Sequence, residues 1–160
     1  MLRQLLLGGG VSVINIAIHA LVMVIVVRVA QIRSARSRSH SSLLLMAVMI
    51  PTVLVLMLTH ALEVAVWALA YSMLDAVGAG ADLMYFAFVN YTTLGYGDVL
   101  PVDRWRLLGP ITAMNGVLLF GWSTAVIFEV LRRTLSRTLD IPEESEGRMN
   151  GSPARGPMVR

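Results

Sequence analysis

Three long runs of apolar positions, separated by polar or basic breaks, lay out this chain. Residues 11–30 are almost wholly apolar, and roughly 20 such residues make a helix that crosses a bilayer. Polarity returns over 31–42, where Arg33, Arg36, Arg38 and His40 are interleaved with serines. The second run, 43–73, is longer than a bilayer needs, which predicts tilt or protrusion. Pro51 within it predicts a kink or a carbonyl left without its donor. Next comes a short segment, 83–92, rich in Tyr, Phe and Leu, with Asp82 before it as an N-cap. It is too short to span. The third long run, 105–133, finishes in Arg132 and Arg133, with Arg137 just beyond. The two ends read differently. Residues 1–10 contain Gly8-Gly9-Gly10, a poor helix interior that predicts a flexible start. Residues 134–160 become polar, with Pro, Gly, Ser and Glu, and predict a disordered tail.

Composition turns these runs into a fold class. At 160 residues there is room for one domain, and 56% hydrophobic residues exceed the usage of an ordinary soluble domain. A mean hydropathy of +0.71 points the same way. The expectation is an all-α membrane protein: three transmembrane helices and one short re-entrant helix followed by a loop. A secretory signal fits the first run badly. It is too long, its basic flank follows it, and no small-x-small cleavage site is evident. Trp67, Tyr71 and Trp105 lie near run ends, as in an interfacial aromatic belt.

The formal charge of +3 and a pI near 10.0 raise nucleic acid as a partner. The arginines cluster beside the apolar runs instead, which is the mark of membrane topology. By the positive-inside rule the basic segment 31–42 and the C-terminus are cytoplasmic, the N-terminus is outside, and the short helix is entered from outside. All 13 basic residues other than histidine are Arg, which together with the Ala and Val richness suggests a high-GC bacterial genome and hence a bacterial inner membrane. Cysteine is absent, which removes disulfides, thiolate metal sites and thiol redox chemistry. No H-E-x-x-H or G-x-S-x-G is present, so an enzyme is not expected, nor a small-molecule substrate. There is no second loop of the same kind to suggest a transporter's repeats.

The stretch Thr92-Thr93-Leu94-Gly95-Tyr96-Gly97-Asp98 lies between the second and third long runs. Gly95 and Gly97 can adopt backbone conformations that other residues resist. Alternating them with Leu94 and Tyr96 allows successive carbonyls to turn toward one axis, where they can replace a cation's hydration shell. This run resembles the selectivity filter of potassium channels, T-x-G-Y-G-D, with Leu94 where many members carry Val or Ile. From Leu43 to Arg133 the chain resembles the helix–pore-loop–helix unit of bacterial two-helix potassium channels and of each half of two-pore-domain channels. The resemblance implies that Thr93, Leu94, Gly95, Tyr96 and Gly97 line the ion sites, with Thr92 and Asp98 supporting them. It implies a homotetramer, K+ as the permeant ion and no cofactor. It also places a gating hinge at Gly116 or Gly121, against the plainer reading that these glycines allow close helix packing. A hinge at Gly116 predicts that Gly116→Ala alters opening and spares selectivity.

Two departures from the family pattern stand out. Position 89, where some members carry Glu, is Val, which leaves the Tyr85 hydroxyl or a backbone amide as the partner for Asp98. The first apolar run is an addition to the two-helix plan; Arg28 is its only charge and sits at its end, so it is no voltage sensor.

Polar residues inside the runs form stripes at helical spacing: Ser12, Asn15 and His19 on the first, and Thr52, Thr59, His60 and Glu63 on the second. Ionisable groups at membrane depth are costly and usually paired. One reading joins His19, His60 and Glu63 in a packing cluster that holds the extra helix; the other makes them a pH sensor, since His titrates near neutrality. A metal site has too few ligands on one face, so no metal beyond permeating K+ is expected. Asp75, Asp82, Asp98 and Asp103 fall in the outer segments and can concentrate cations. Glu129 has Arg132 and Arg133 one turn on as partners. The functional alternatives are a non-selective cation channel and a non-conducting regulatory or scaffold subunit.

Overall fold

A computed structural model describes residues 1–36 and 42–139. It is all-α: α1 (Leu2–Arg36), α2 (Ser42–Leu74), the short α3 (Leu83–Tyr91) and α4 (Leu108–Leu139), with one 3-10 turn at Asp103–Trp105 before α4. The stretches Leu2–Ile32, Leu45–Leu74 and Asp103–Leu135 are each long and apolar enough to cross a membrane. At 1.5 Å per residue each exceeds a hydrocarbon core of about 30 Å, so tilt or protrusion follows. Arg38 and His40 of the basic segment, and residues 140–160 of the expected tail, lie outside the described residues.

Three sequence expectations need correction. Residues 1–10 are not a loose start but the first turns of α1. Gly8 sits where an added Cβ would come 2.9 Å from Ile111 Cδ1, so the absent side chain lets α1 press on α4. The Gln4 side-chain oxygen accepts from Leu107 N at 2.8 Å, and Arg3 stacks over the Trp105 ring at 5.4 Å. These contacts offset the low helix propensity of the glycine run. The second correction concerns the helix ends. α1 continues through 31–36 into the expected basic segment, and α4 continues through 134–139 into the expected tail.

The third concerns the aromatic belt. Trp67, Tyr71 and Trp105 point inward and are all buried. With Val64, Phe86, Tyr91, Leu108 and Ile111 they form an apolar cluster around α3. Their polar atoms are satisfied within the protein: Trp67 Nε1 donates to Asn115, Tyr71 pairs with Thr112, and Trp105 Nε1 donates to the Leu74 carbonyl.

A second apolar cluster joins α1, α2 and α4 through Met23, Val26, Val48, Leu56, Val126 and Val130. α2 runs past Pro51 without a break, although the Pro ring offers no N–H to the Ala47 carbonyl. Between the two apolar clusters lies a layer of buried polar side chains. Elsewhere the faces of the long helices are apolar and exposed, as at Leu21, Ile25, Leu54, Leu58, Leu69, Val117 and Phe128.

Candidate functional site

α3 begins where the Asp82 side chain accepts from Tyr85 N at 3.0 Å, the N-cap predicted at that position. Nine residues at 1.5 Å each cannot cross a bilayer. The helix packs between α2 and α4, and its last turn sends the chain into Thr92–Asp98. There the backbone turns back on the helix that precedes it. Thr92 N donates to Phe88 O (2.9 Å), Thr93 N to Asn90 O (3.0 Å), and Leu94 N and Gly95 N both to Val89 O (2.9 and 3.3 Å). The amides of residues 92–95 are thereby bound to α3.

Thr93, Gly95 and Gly97 have positive φ of 60°, 60° and 75°. Leu94 and Tyr96 between them do not. Positive φ is free for Gly and costs about 1–2 kcal/mol for an L side chain, more for a β-branched one. Thr93 therefore holds strain of the kind that persists at functional sites. Positive φ thus recurs at every second residue from Thr93 to Gly97. Residues 92–98 are all exposed in the single chain, Leu94 and Tyr96 included.

Asp98 finds both of its expected partners. Tyr85 Oη donates to Asp98 Oδ2 at 2.7 Å, and Val99 N donates to Oδ1 at 3.1 Å. The hydrogen bond to Asp98 holds the Tyr85 phenol above its ordinary value. Val89 is buried on α3 behind the loop. The two outer connections meet where Val102 N donates to Ala76 O (2.9 Å) and Val77 bridges Pro101. Asp75, Asp82, Asp98 and Asp103 are exposed on these connections.

The two hinge candidates differ sharply. A Cβ on Gly116 would lie 2.0 Å from the Tyr91 carbonyl oxygen, whereas one on Gly121 meets nothing within 4 Å. Gly116 is a contact position that seats the end of α3 on α4. An alanine there would push on Tyr91, the residue just before Thr92.

His19, His60 and Glu63 come together behind this helix end. His19 Nδ1 lies 2.8 Å from Glu63 Oε1, His60 Nδ1 lies 3.0 Å from Oε2, and Tyr91 Oη donates to Oε2. His60 Nε2 lies 2.9 Å from Ser123 Oγ, and His19 Nε2 lies 3.4 Å from the same oxygen. Asn15 Nδ2 donates to Glu63 O and to Asn115 Oδ1, each at 3.2 Å. Ser12 Oγ, by contrast, has no partner among the described residues. Thr52 and Thr59 bond back to carbonyls of their own helix, Val48 and Val55. Sequence reading missed Tyr91, Asn115 and Ser123. Thr112, Asn115 and Ser123 share a face of α4 at spacings of three and eight, a stripe like those read on α1 and α2. At the far end of α4, Glu129 pairs with both Arg132 and Arg133.

A protein-family model described as "Ion channel" matches residues 54–133, half of the chain. No curated protein and no solved structure matches it. The match covers most of α2, all of α3, the strained loop and α4 to the Glu129–Arg133 pair, the part of the fold that surrounds Thr92–Asp98. The chain belongs to this ion-channel family, as an integral membrane protein of three long apolar helices.

Proposed function

We propose that the protein is a K+-selective channel, a homotetramer in which Thr93, Leu94, Gly95, Tyr96 and Gly97 of each chain line the ion path. The alternating positive φ at Thr93, Gly95 and Gly97 carries this reading. Four such loops arranged around an axis offer rings of carbonyl oxygens that replace the hydration shell of K+, with the Thr93 hydroxyl as a further layer. The amides bound back to α3 leave the carbonyls free for that role. Exposure of the whole loop in one chain fits a surface completed by neighbours. Thr92 and Asp98 brace the loop at its two ends, through Phe88 O and through Tyr85. The C-terminal end of α3 adds partial negative charge facing the cavity. The outer aspartates draw cations toward the mouth. In this reading the membrane is a bacterial inner membrane, the N-terminus is outside, the C-terminus is cytoplasmic, and α3 is re-entrant.

The test is gradient-driven flux of K+, Rb+ and Na+ in proteoliposomes, with Gly95→Ala alongside. Flux of K+ and Rb+ without Na+ is expected. Gly95→Ala should lower it by roughly tenfold or more, since an alanine at φ +60° is strained in every chain. Equal Na+ flux would overturn selectivity and favour the non-selective channel. Absence of flux under every condition would favour a regulatory subunit.

A further inference from the structure

We propose that His19, His60 and Glu63 form a transition-metal site of the Zn2+ class, buried behind the pore-side helix. Their ligand atoms, one from each residue, all lie within 4.8 Å of one another. Two imidazoles and a carboxylate are a donor set that zinc uses, whereas Mg2+ and Ca2+ take oxygen ligands. Tetrahedral coordination at about 2.0–2.1 Å places donors about 3.3 Å apart. To seat an ion, the Nδ1–carboxylate distances of 2.8 and 3.0 Å must open, and the widest ligand separation, up to 4.8 Å, must close. Tyr91 Oη, 2.9 Å from His60 Nδ1, stands where a fourth oxygen ligand would be supplied, by itself or through a water. The shortage of ligands on one helix face is made up across the α1–α2 contact, which brings His19 to the pair on α2.

The outer partners fit as well. With both Nδ1 atoms on a metal, each ring carries its proton on Nε2 and needs an acceptor. Both Nε2 atoms face Ser123 Oγ, whose two lone pairs can take both bonds. With both rings neutral and donating Nδ1–H to Glu63, the two Nε2 atoms would compete for one hydroxyl proton. A divalent ion also balances a carboxylate that is fully buried at membrane depth. His60, with 12% of its side chain exposed against 0% for Glu63, marks the side of entry.

The test uses the tag-free full chain in detergent, stripped with EDTA and titrated with Zn2+ alone by calorimetry, followed by X-ray absorption on the loaded protein. We expect one Zn2+ per chain and a first shell with two imidazole nitrogens. His19→Gln and His60→Gln should each abolish tight binding, Ser123→Ala should weaken it by roughly tenfold, and His40→Ala should leave it unchanged. No retained Zn2+ would leave a proton as the balancing charge and overturn the site. So would a shell of oxygens only, or equal binding by the glutamine variants. The absorption result on the unaltered chain decides the matter even if those variants do not fold. None of these readouts involves ion flux, so their failure leaves the K+ reading where it stands.

Discussion

At the scale of single residues, glycine positions separate backbone freedom from close packing. Gly95 and Gly97 serve through φ, while Gly116 serves through the Cβ it lacks. Gly116→Ala should lower stability by about 1–3 kcal/mol, because Tyr91 O is backbone and cannot swing away. Thermal unfolding followed by tryptophan fluorescence checks this, and an unchanged midpoint would refute the contact. Gly121→Ala should hold or raise stability by up to about 1 kcal/mol, as alanine does in a helix interior. If that variant changes channel opening at unchanged stability, the hinge reading of Gly121 gains support; unchanged opening ends it. Tyr85 and Asp98 make the complementary point. Their bond ties α3 to the end of the loop through a phenol donating to a carboxylate oxygen.

At the scale of elements, the added helix α1 is held by polar contacts between two apolar clusters. Asn15 reaches both Glu63 O on α2 and Asn115 on α4. Such bonds between membrane helices are modest, and Asn15 Oδ1 has no partner among the described residues. Asn15→Leu should therefore cost about 0.5–2 kcal/mol in chemical unfolding. Leu21→Ala, on an exposed face of the same helix, should cost far less in the detergent-solubilised chain. Equal losses would mean that α1 is held by its apolar surface alone. The polar layer also ties α1 to Tyr91 through Glu63, one residue before Thr92, so the added helix is coupled by contact to the end of α3.

At the scale of the molecule, the chain presents a strained loop, uncovered over 92–98, and long apolar faces on every spanning helix. Lipid covers some of these faces, and in the proposed channel neighbouring chains cover the rest. Native mass spectrometry from mild detergent should give four times the 17.5 kDa chain. A monomer or dimer would sink the proposed ion path, because a carbonyl ring open on one side cannot replace a hydration shell.

Hydropathy located the spanning stretches, because bilayer thickness and backbone satisfaction leave few alternatives for so many consecutive apolar residues. The loop Thr92–Asp98 was legible through its resemblance to a known motif, and Gly95 and Gly97 in it take the positive φ that glycine allows. The Asp82 cap and the Glu129 pairs are local too, and they stand where spacing put them. What lay beyond the sequence depends on which faces meet. Trp67, Tyr71 and Trp105 became core, and Gly8 fastened the start of α1, because α4 and α3 lie against them. Periodicity placed His19 and His60 on two stripes. Only the packing of α1 on α2, with Tyr91 and Ser123 closing from α3 and α4, made them neighbours around one carboxylate.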